Sequence, residues 1–190
     1  MTRSRGELRI VGGAWRSRRV RFPATPGLRP TPDRVRETVF NWLGPWVEGR
    51  RVLDLFAGSG ALGLEALSRG ATEAVFVECA RSAAEALQIN IEILGAAKAS
   101  VLCTDALRFL ERTEDSFDLV FIDPPYAGGL AWPVLERLLV RRLLRTGGQV
   151  YLEQGGSASL TGETFEIPPP LHLHREVHAG SVHGFLLSAY

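Results

Sequence analysis

The stretch Val52-Leu53-Asp54-Leu55-Phe56-Ala57-Gly58-Ser59-Gly60 decides how this chain is organised. It begins as a short apolar strand, passes into a glycine-rich turn and continues into the residues of a helix. Glycine lets the backbone approach a ligand closely, and the start of a helix offers N–H groups that have no partner within the helix. The stretch therefore predicts a cofactor-binding loop at the junction of a buried strand and a helix.

Strand and helix patterns alternate from Arg51 through most of the chain. Apolar runs predict strands at 52–56, 74–78, 99–103, 117–122 and 148–153. Four helices are expected between these strands. The first two end at Gly70 and Gly95, the third begins at Asp105, and the fourth runs from Leu130 to Arg145. This alternation predicts an α/β fold with a doubly wound, mostly parallel, Rossmann-like sheet that helices cover on both faces. Two further β-like runs, 172–178 and 182–189, predict an antiparallel C-terminal hairpin at the sheet edge.

Residues 1–30 have a different pattern. The β-like runs 8–11 and 19–22 are joined through Gly12-Gly13-Ala14-Trp15, which predicts a small hairpin, and a Pro/Gly linker follows it. Thr31-Pro32-Asp33 then supplies an N-cap, a first-turn proline and an early acid, so a helix is expected as far as Gly44-Pro45. We therefore predict a basic hairpin arm with its linker at 1–30 and one main domain at 31–190.

Positive charge is concentrated at the N-terminal end of the chain. Residues 1–36 contain ten arginines against Glu7 and Asp33, a local net charge of +8, whereas the whole chain has a net charge of +1. Arginine offers a planar fork of donors to phosphate oxygens, so this pattern favours contact with a nucleic-acid backbone over a merely solvated arm. The side chains expected to bind RNA are Arg5, Arg9, Trp15, Arg16, Arg18, Arg19, Arg29, Arg34 and Arg36.

Composition limits the class of protein. The 190 residues suffice for one α/β domain with a full core. No apolar run is long enough to span a bilayer, and the N-terminus has no apolar signal core, so we expect a cytoplasmic protein that does not bind membranes. Cys79 and Cys103 lie beside predicted buried strands without a Cys-x-x-Cys spacing, which predicts reduced core thiols.

Histidines are crowded into the predicted C-terminal hairpin, at positions 172, 174, 178 and 183. A metal site is one interpretation of such a cluster. No cysteine or carboxylate cluster near these histidines completes a coordination shell in the sequence, and exposed histidines are common on strands. We therefore expect that the chain binds no metal.

The glycine-rich turn is compatible with two kinds of cofactor. Gly58-x-Gly60-x-x-Gly63 matches the dinucleotide fingerprint, and Glu78 lies 20 positions beyond Gly58, where a ribose-binding acid is expected. Asp54 distinguishes the two, because an acid inside the strand would repel a pyrophosphate but suits a cationic ligand such as S-adenosylmethionine. Glu78 would then accept from the ribose hydroxyls. Asp105 is placed to accept from the adenine amino group, to N-cap the next helix, or both.

A second motif, Asp123-Pro124-Pro125-Tyr126, follows the buried strand predicted at 117–122. Two consecutive prolines remove two backbone donors, so the loop presents carbonyl oxygens with few competing N–H groups. The aspartate adds another acceptor, and the tyrosine adds a ring that can stack. A plain Pro-rich turn that ends a core strand is the simpler interpretation. The more specific interpretation is a site that binds an amino group on a flat ring and holds it in the pyramidal form that can attack an electrophile.

The sequence resembles the class I methyltransferases that use S-adenosylmethionine. More narrowly, it is similar to the bacterial family (RsmD) that methylates N2 of a guanine in 16S ribosomal RNA. The resemblance covers most of the chain and is carried by residues 9–13, the segment Gly27–Leu43, the glycine loop and Asp123–Tyr126. The segment Gly27–Leu43 is the most specific of these, since Asp-Pro-Pro-Tyr also occurs in methyltransferases that act on adenine N6.

The resemblance implies roles for individual residues and a transfer reaction that leaves S-adenosylhomocysteine. Asp123 and Pro124 would hold the guanine amine, and Tyr126 would stack on the base. The side chains and loop residues implied in cofactor binding are Asp54, Phe56, Gly58, Ser59, Gly60, Glu78, Cys79, Asp105, Ala106 and Asp123. The implied acceptor is 16S ribosomal RNA, free or within a small subunit or assembly intermediate, and the enzyme is expected to be a monomer.

Two other functions remain open from the sequence. An amino methyltransferase that acts on adenine N6 in DNA or RNA would use the same two motifs. A non-enzymatic RNA-binding module would need only the basic hairpin. The lack of an inserted segment between the glycine loop and Asp123 favours RNA over DNA, and the presence of Asp54, Glu78 and Asp123 favours an enzyme.

Overall fold

A computed structural model describes residues 5–23, 31–125, 129–155, 167–180 and 182–190. The strands are β1 (Arg5–Arg9), β2 (Arg19–Pro23), β3 (Arg51–Asp54), β4 (Glu73–Glu78), β5 (Ala99–Cys103), β6 (Phe117–Ile122), β7 (Leu144–Gly155), β8 (Leu171–Ala179) and β9 (Val182–Ala189). The helices are α1 (Asp33–Leu43), α2 (Ala61–Ser68), α3 (Arg81–Leu94), α4 (Ala106–Arg112) and α5 (Ala131–Val140). A 3-10 turn at Gly44–Val47 follows α1.

Seven of these strands form one sheet in the order β5-β4-β3-β6-β7-β9-β8. The first five strands in this order pair in parallel, and β9 joins β7 and β8 by antiparallel pairing. The chain moves outward from β3 to β5 in one direction and then from β6 to β7 in the other. In sheets of this kind the ligand lies at the carboxyl ends of the strands where the direction reverses, here between β3 and β6.

Helices cover both faces of the sheet, because its strands alternate apolar residues between two cores. Val52 and Phe121 pack on one face with apolar side chains of α1, α2 and α3. Leu53 and Val120 pack on the other face with α4 and α5. The predicted doubly wound α/β fold with an antiparallel C-terminal hairpin and an N-terminal β-hairpin is confirmed.

The N-terminal hairpin, β1 and β2, packs onto α2 and α3. Leu8, Ile10, Val20 and Phe22 are buried in the same core as those helices. The side chain of Asn90 in α3 accepts from the Arg21 N–H at 3.2 Å and donates to the Arg21 carbonyl at 2.8 Å, as a neighbouring strand would. The division of the chain near residue 30 into an arm and a main domain stays a prediction.

Some predicted details were wrong. The helix expected from Leu130 to Arg145 ends at Val140, because Arg142 takes a positive φ of 54° and turns the chain into β7. Thr31 is not the N-cap of α1, since Pro32 occupies that position without a side-chain cap. Cys79 and Cys103 are exposed rather than buried in the core. Among the described residues, no helix is both long and apolar enough to cross a membrane.

Candidate active site

The polar residues of the site come from strands that end side by side. In the pairing of the sheet, Asp54 lies opposite Phe121, and Phe121 lies opposite Tyr151. Side chains alternate along a strand, so Asp123 and Glu153, two positions further on, point to the same face as Asp54. This is the face that α1, α2 and α3 cover, and Thr31, just before α1, contacts Asp123 there.

The glycine loop connects β3 to α2 through a backbone that favours glycine. Gly58 has a φ of 52° and Gly60 a φ of 78°, in the left-handed region. Gly63, in the first turn of α2, has a different requirement, because a Cβ there would overlap the Phe76 ring of β4. The spacing of the three glycines thus reflects two turn conformations followed by one close contact between helix and sheet.

Asp54 is buried at the end of β3 and binds the start of α2. Its Oδ2 accepts from the Gly63 N–H at 3.0 Å. Burial, with a smaller contribution from the nearby charge of Glu78, raises the pKa of Asp54 to about 7, although the N–H groups of Gly63 and Phe56 act in the opposite direction. Asp54 therefore fixes the position of the loop and titrates near neutral pH.

Glu78 lies at the end of β4 and binds the loop from the other side. Its Oε2 accepts from the Gly58 N–H at 2.7 Å, and its Oε1 accepts from the Ala80 N–H at 2.7 Å. Each carboxylate oxygen has a second lone pair, so these bonds leave capacity for ligand hydroxyls. The two acids thus border the loop on both sides.

The other residues expected at a cofactor site lie around the same strand ends. Asp105 N-caps α4, accepting from the Arg108 N–H at 3.1 Å, as one of its two predicted roles required. Ala106 and Ser59 are buried, Phe56 is half-buried, and the Cys103 thiol lies 3.9 Å from the Cys79 carbonyl oxygen. These placements are compatible with a shared pocket, and their roles in binding stay predictions.

Asp123 begins the second motif and lies directly beyond β6. One of its oxygens, Oδ2, accepts from the Thr31 hydroxyl at 3.2 Å, and the strand pairing places Glu153 beside its carboxyl. Removal from water raises the pKa of Asp123 well above 3.8, and the charges of Glu153 and Asp54 raise it further. The Thr31 bond acts in the opposite direction. Pro124 is buried beside Asp123, and Tyr126 lies outside the described residues.

Glu153 is a residue of this site for which no role was predicted from the sequence. It is 2 % exposed, and its Oε2 accepts from the Tyr151 hydroxyl at 3.0 Å. Its position in the sequence could have indicated a role, since Glu153 is the last residue of the apolar run 148–153 and Asp123 directly follows the apolar run 117–122. Only the pairing of β6 with β7 brings the two acids together.

Arg36 differs from the expectation that it binds RNA from the surface. It is 1 % exposed, and its guanidinium donates to the Thr31 carbonyl at 3.2 Å, the Arg9 carbonyl at 2.8 Å and Glu65 Oε2 at 3.3 Å. Glu65 also accepts from the backbone N–H groups of Val11 and Gly12 at 2.8 and 2.7 Å. Arg36 therefore joins the hairpin to the segment that contacts Asp123.

The other predicted RNA-binding side chains lie mostly on the surface. Those of Arg9, Arg16, Arg18, Arg19 and Arg34 are exposed. Arg19 pairs with Glu7 at 2.7 Å, and Arg18 donates to the Ile93 carbonyl at 2.9 Å. Trp15 is half-buried against the core, while Arg29 and the Arg5 side chain lie outside the described part of the chain.

A pocket of about 440 Å³ opens between the hairpin and the start of α1. Its lining is charged and includes Glu7, Arg9, Arg19 and Asp33, together with Thr31. Because Thr31 donates to Asp123, the pocket adjoins the second motif through one residue.

The C-terminal hairpin contains a group that the sequence reasoning overlooked. Pairing of β8 with β9 sets His178 opposite His183. Glu176 Oε2 lies 3.2 Å from His183 Nε2 and 4.0 Å from His178 Nε2. Pairing between the strands therefore brings one carboxylate, Glu176, beside two of the four histidines. The expectation of no metal stays a prediction.

Known proteins resemble this chain over most of its length. Residues 8–187 match the model of a family described as "Conserved hypothetical protein 95". The chain is 42% identical over 177 residues to ribosomal RNA small subunit methyltransferase D of Escherichia coli strain K12, which covers 93% of this chain and 87% of the relative. Its identity to the protein of that name from Haemophilus influenzae is 40% over 154 residues, 79% of this chain and 80% of the relative.

A solved structure agrees with the fold described above. The putative methyltransferase yhhF from Escherichia coli superimposes with a TM-score of 0.87 at 38% identity, covering 97% of this chain and 98% of that one. The resemblance inferred from the glycine loop, the segment Gly27–Leu43 and the Asp123 motif is confirmed. The chain belongs to the family described as conserved hypothetical protein 95, to which the ribosomal RNA small subunit methyltransferase D proteins also belong.

Proposed function

We propose that this protein transfers a methyl group from S-adenosylmethionine to the exocyclic N2 of a guanine in 16S ribosomal RNA. The observation that carries the proposal is that the glycine loop with its two acids and the Asp123 motif lie side by side at the switch point of the sheet. The names of the relatives, which are ribosomal RNA small subunit methyltransferases, support the acceptor class.

The residues of the glycine loop fit S-adenosylmethionine by their chemistry. Asp54 and Glu78 supply negative charge and acceptors beside a backbone that turns tightly at Gly58 and Gly60. These groups suit an ammonium, a sulfonium and two ribose hydroxyls, and Asp105 with Ala106 would adjoin the adenine. When bound, the sulfonium supplies an electrophilic methyl group.

The Asp123 motif would supply acceptors for the amine. The Asp123 carboxylate and the Pro124 carbonyl can each accept one N–H bond, which holds the amine at near-attack distance and stabilises positive charge that develops on its nitrogen. Tyr126 would stack on the guanine and offset about 1–3 kcal/mol of the stacking lost when the base leaves its neighbours. The attacking nitrogen loses its extra proton to water.

The exposed arginines of the hairpin and of α1 would bind the RNA backbone. Arg9, Arg16, Arg18, Arg19 and Arg34 present guanidinium groups on the surface, and Arg9 and Arg19 line the charged pocket. Arg36 is excluded from this set by its burial. Because the pocket adjoins Thr31 and Thr31 contacts Asp123, phosphates bound there would lie near the base-binding motif.

The test is transfer of a labelled methyl group with analysis of the product nucleoside. We propose that the protein acts as a monomer, so the assay uses the purified monomer with naked 16S ribosomal RNA, small-subunit particles, assembly intermediates and duplex DNA. The expected product is N2-methylguanosine in the RNA samples. Label found only in N6-methyladenine or only in DNA would favour the adenine-directed alternative. No transfer to any acceptor, with RNA binding intact, would favour a binding module.

A further inference from the structure

A second carboxyl group lies against the one proposed to hold the amine. Ile122, the last residue of β6, pairs with Leu152 of β7, so Asp123, directly beyond β6, lies beside Glu153, which remains in β7 and pairs with Gly184 of β9. The charge of Glu153 acts directly on Asp123 and raises its pKa. Two carboxyl groups this close can hydrogen-bond to each other only when one of them carries a proton, because two carboxylates have acceptors and no donor.

Each member of this pair has a further hydrogen bond on its outer side. The Tyr151 hydroxyl donates to Glu153 Oε2 at 3.0 Å, and the Thr31 hydroxyl donates to Asp123 Oδ2 at 3.2 Å. Tyr151 is fully buried, and Gly184 on β9 leaves room for its hydroxyl, since a Cβ at that position would overlap it. The pair is thus held from both sides by hydroxyl donors.

We propose that Asp123 and Glu153 form a carboxyl pair that holds one proton in the free protein, and that Glu153 is a positioning residue that controls when Asp123 can accept from the amine. As an acid, Asp123 donates to Glu153. As a carboxylate, it accepts the N–H of the base. The role in transfer rests on the proposed function, whereas the shared proton does not.

The charges around the pair favour retention of that proton. Among the described residues, the buried ionisable groups on the surrounding elements are Asp54 of β3, Glu78 of β4, Arg36 of α1, Glu65 of α2, Tyr151 of β7 and His183 of β9, and the exposed Asp33 of α1 pairs with Arg36. Arg36, the cation among them on the α1 side, donates to Glu65 and to backbone carbonyls. Asp54 and Glu153 both raise the pKa of Asp123, in addition to the effect of burial. Two acids this close do not both ionise readily.

The direct test is an infrared titration of protonated carboxyl groups in the wild type and in Glu153→Gln. Glutamine keeps a donor for Asp123 and an acceptor for the Tyr151 hydroxyl but carries no charge. We expect the protonated band of Asp123, identified by its loss in Asp123→Asn, to titrate at a pH lower by about one unit or more in Glu153→Gln. Glu136→Gln, which changes an exposed acid of α5, serves as the control and leaves the midpoint in place.

An unchanged midpoint in Glu153→Gln would overturn the proposal, because burial alone would then hold the proton on Asp123. The pH profile of kcat gives a second readout that a merely structural role would not move. Its acid limb is expected at lower pH in Glu153→Gln than in the wild type, with rates at alkaline pH within about threefold. If the wild type transfers no methyl group, the proposed function fails, while the infrared result still decides the shared proton.

Discussion

The two halves of the candidate site hold their acids in different ways. In the cofactor half, defined as Asp54, Glu78 and the loop 57–63, the carboxylates accept from the backbone N–H groups of Gly63, Gly58 and Ala80. In the amine half, defined as Thr31, Asp123, Pro124 and Glu153, the two carboxyls accept from side-chain hydroxyls and lie beside each other. The cofactor half is therefore fixed by its own chain conformation, whereas the amine half depends on side chains from three distant segments.

This difference has a chemical consequence. Backbone N–H groups do not titrate near neutral pH, so they can donate to a carboxyl oxygen whether the acid is ionised or protonated, and they keep the loop in one shape. A carboxyl pair changes its hydrogen bonding when a proton leaves it. We therefore expect mutations in the amine half to change the rate and its pH dependence, and changes to Asp54 to appear mainly in stability and cofactor affinity.

The largest expected effect is that of Asp123→Ala. Loss of an acceptor for the amine should lower kcat by about 100- to 1,000-fold, the size found for removal of one group that stabilises transition-state charge. Cofactor affinity, measured by calorimetry, should change by less than about threefold. Glu136→Ala, which alters an exposed acid of α5, is the control. Near-normal turnover in Asp123→Ala would contradict the role given to the amine half.

The pH dependence of stability should single out Asp54. Because its pKa is raised from 3.8 to about 7 in the folded protein, the folded state holds a proton that the unfolded state has lost. The contribution of this proton to the free energy of unfolding is fully present below about pH 4 and is lost as the pH rises through about 7. The loss is about 4 kcal/mol at most. Urea unfolding between pH 4 and 8 should show a shallower decline in Asp54→Asn. An equal decline in both proteins would show that Asp54 titrates normally.

Removal of the Thr31 hydroxyl should have a smaller and opposite effect to the removal of the Glu153 charge. Thr31 lowers the pKa of Asp123, so in Thr31→Val the acid limb of the kcat profile should move to higher pH. Loss of one hydrogen bond of about 0.5–1.5 kcal/mol corresponds to a reduction in rate of about tenfold or less. Thr31→Ser should restore the wild-type rate and the wild-type position of the acid limb. A limb that moves to lower pH would contradict the assignment of donor and acceptor.

The sequence predicts the cofactor half of the site better than the amine half. Asp54, Glu78 and the glycines were found from spacing, because each lies at a strand end or in the turn that follows. Thr31 was predicted as an N-cap, yet its hydroxyl contacts Asp123, 92 positions away. Glu153 was noticed without a role. In both cases the contact depends on how β6, β7 and α1 are placed in space, which a local pattern does not contain.

The role of Arg36 also depends on a contact that a local sequence pattern does not contain. Ten arginines in the first 36 residues favour a nucleic-acid surface, but composition does not distinguish an exposed guanidinium from one that binds Glu65 in the interior. The partner lies 29 positions away on α2. The predicted α/β fold was less sensitive to such contacts, because it follows from many repeated strand and helix patterns.

The smallest expected effects come from single surface arginines. Arg16→Ala and Arg34→Ala should each raise KM for RNA by a fewfold and reduce the slope of affinity against salt by about one, with kcat unchanged. Arg112→Ala, at the end of α4, is the control on a different helix. Equal effects of all three would indicate nonspecific attraction rather than a binding surface at the hairpin.

The most direct test of the account is the identity of the nucleoside that the protein labels. Small-subunit particles and naked 16S RNA are incubated with methyl-labelled S-adenosylmethionine and either the wild type or Asp123→Ala, and the digested RNA is analysed. We expect labelled N2-methylguanosine with the wild type and at least about 100-fold less of it with the variant. Label in another nucleoside, or equal labelling by the two proteins, would contradict a guanine amine site at Asp123.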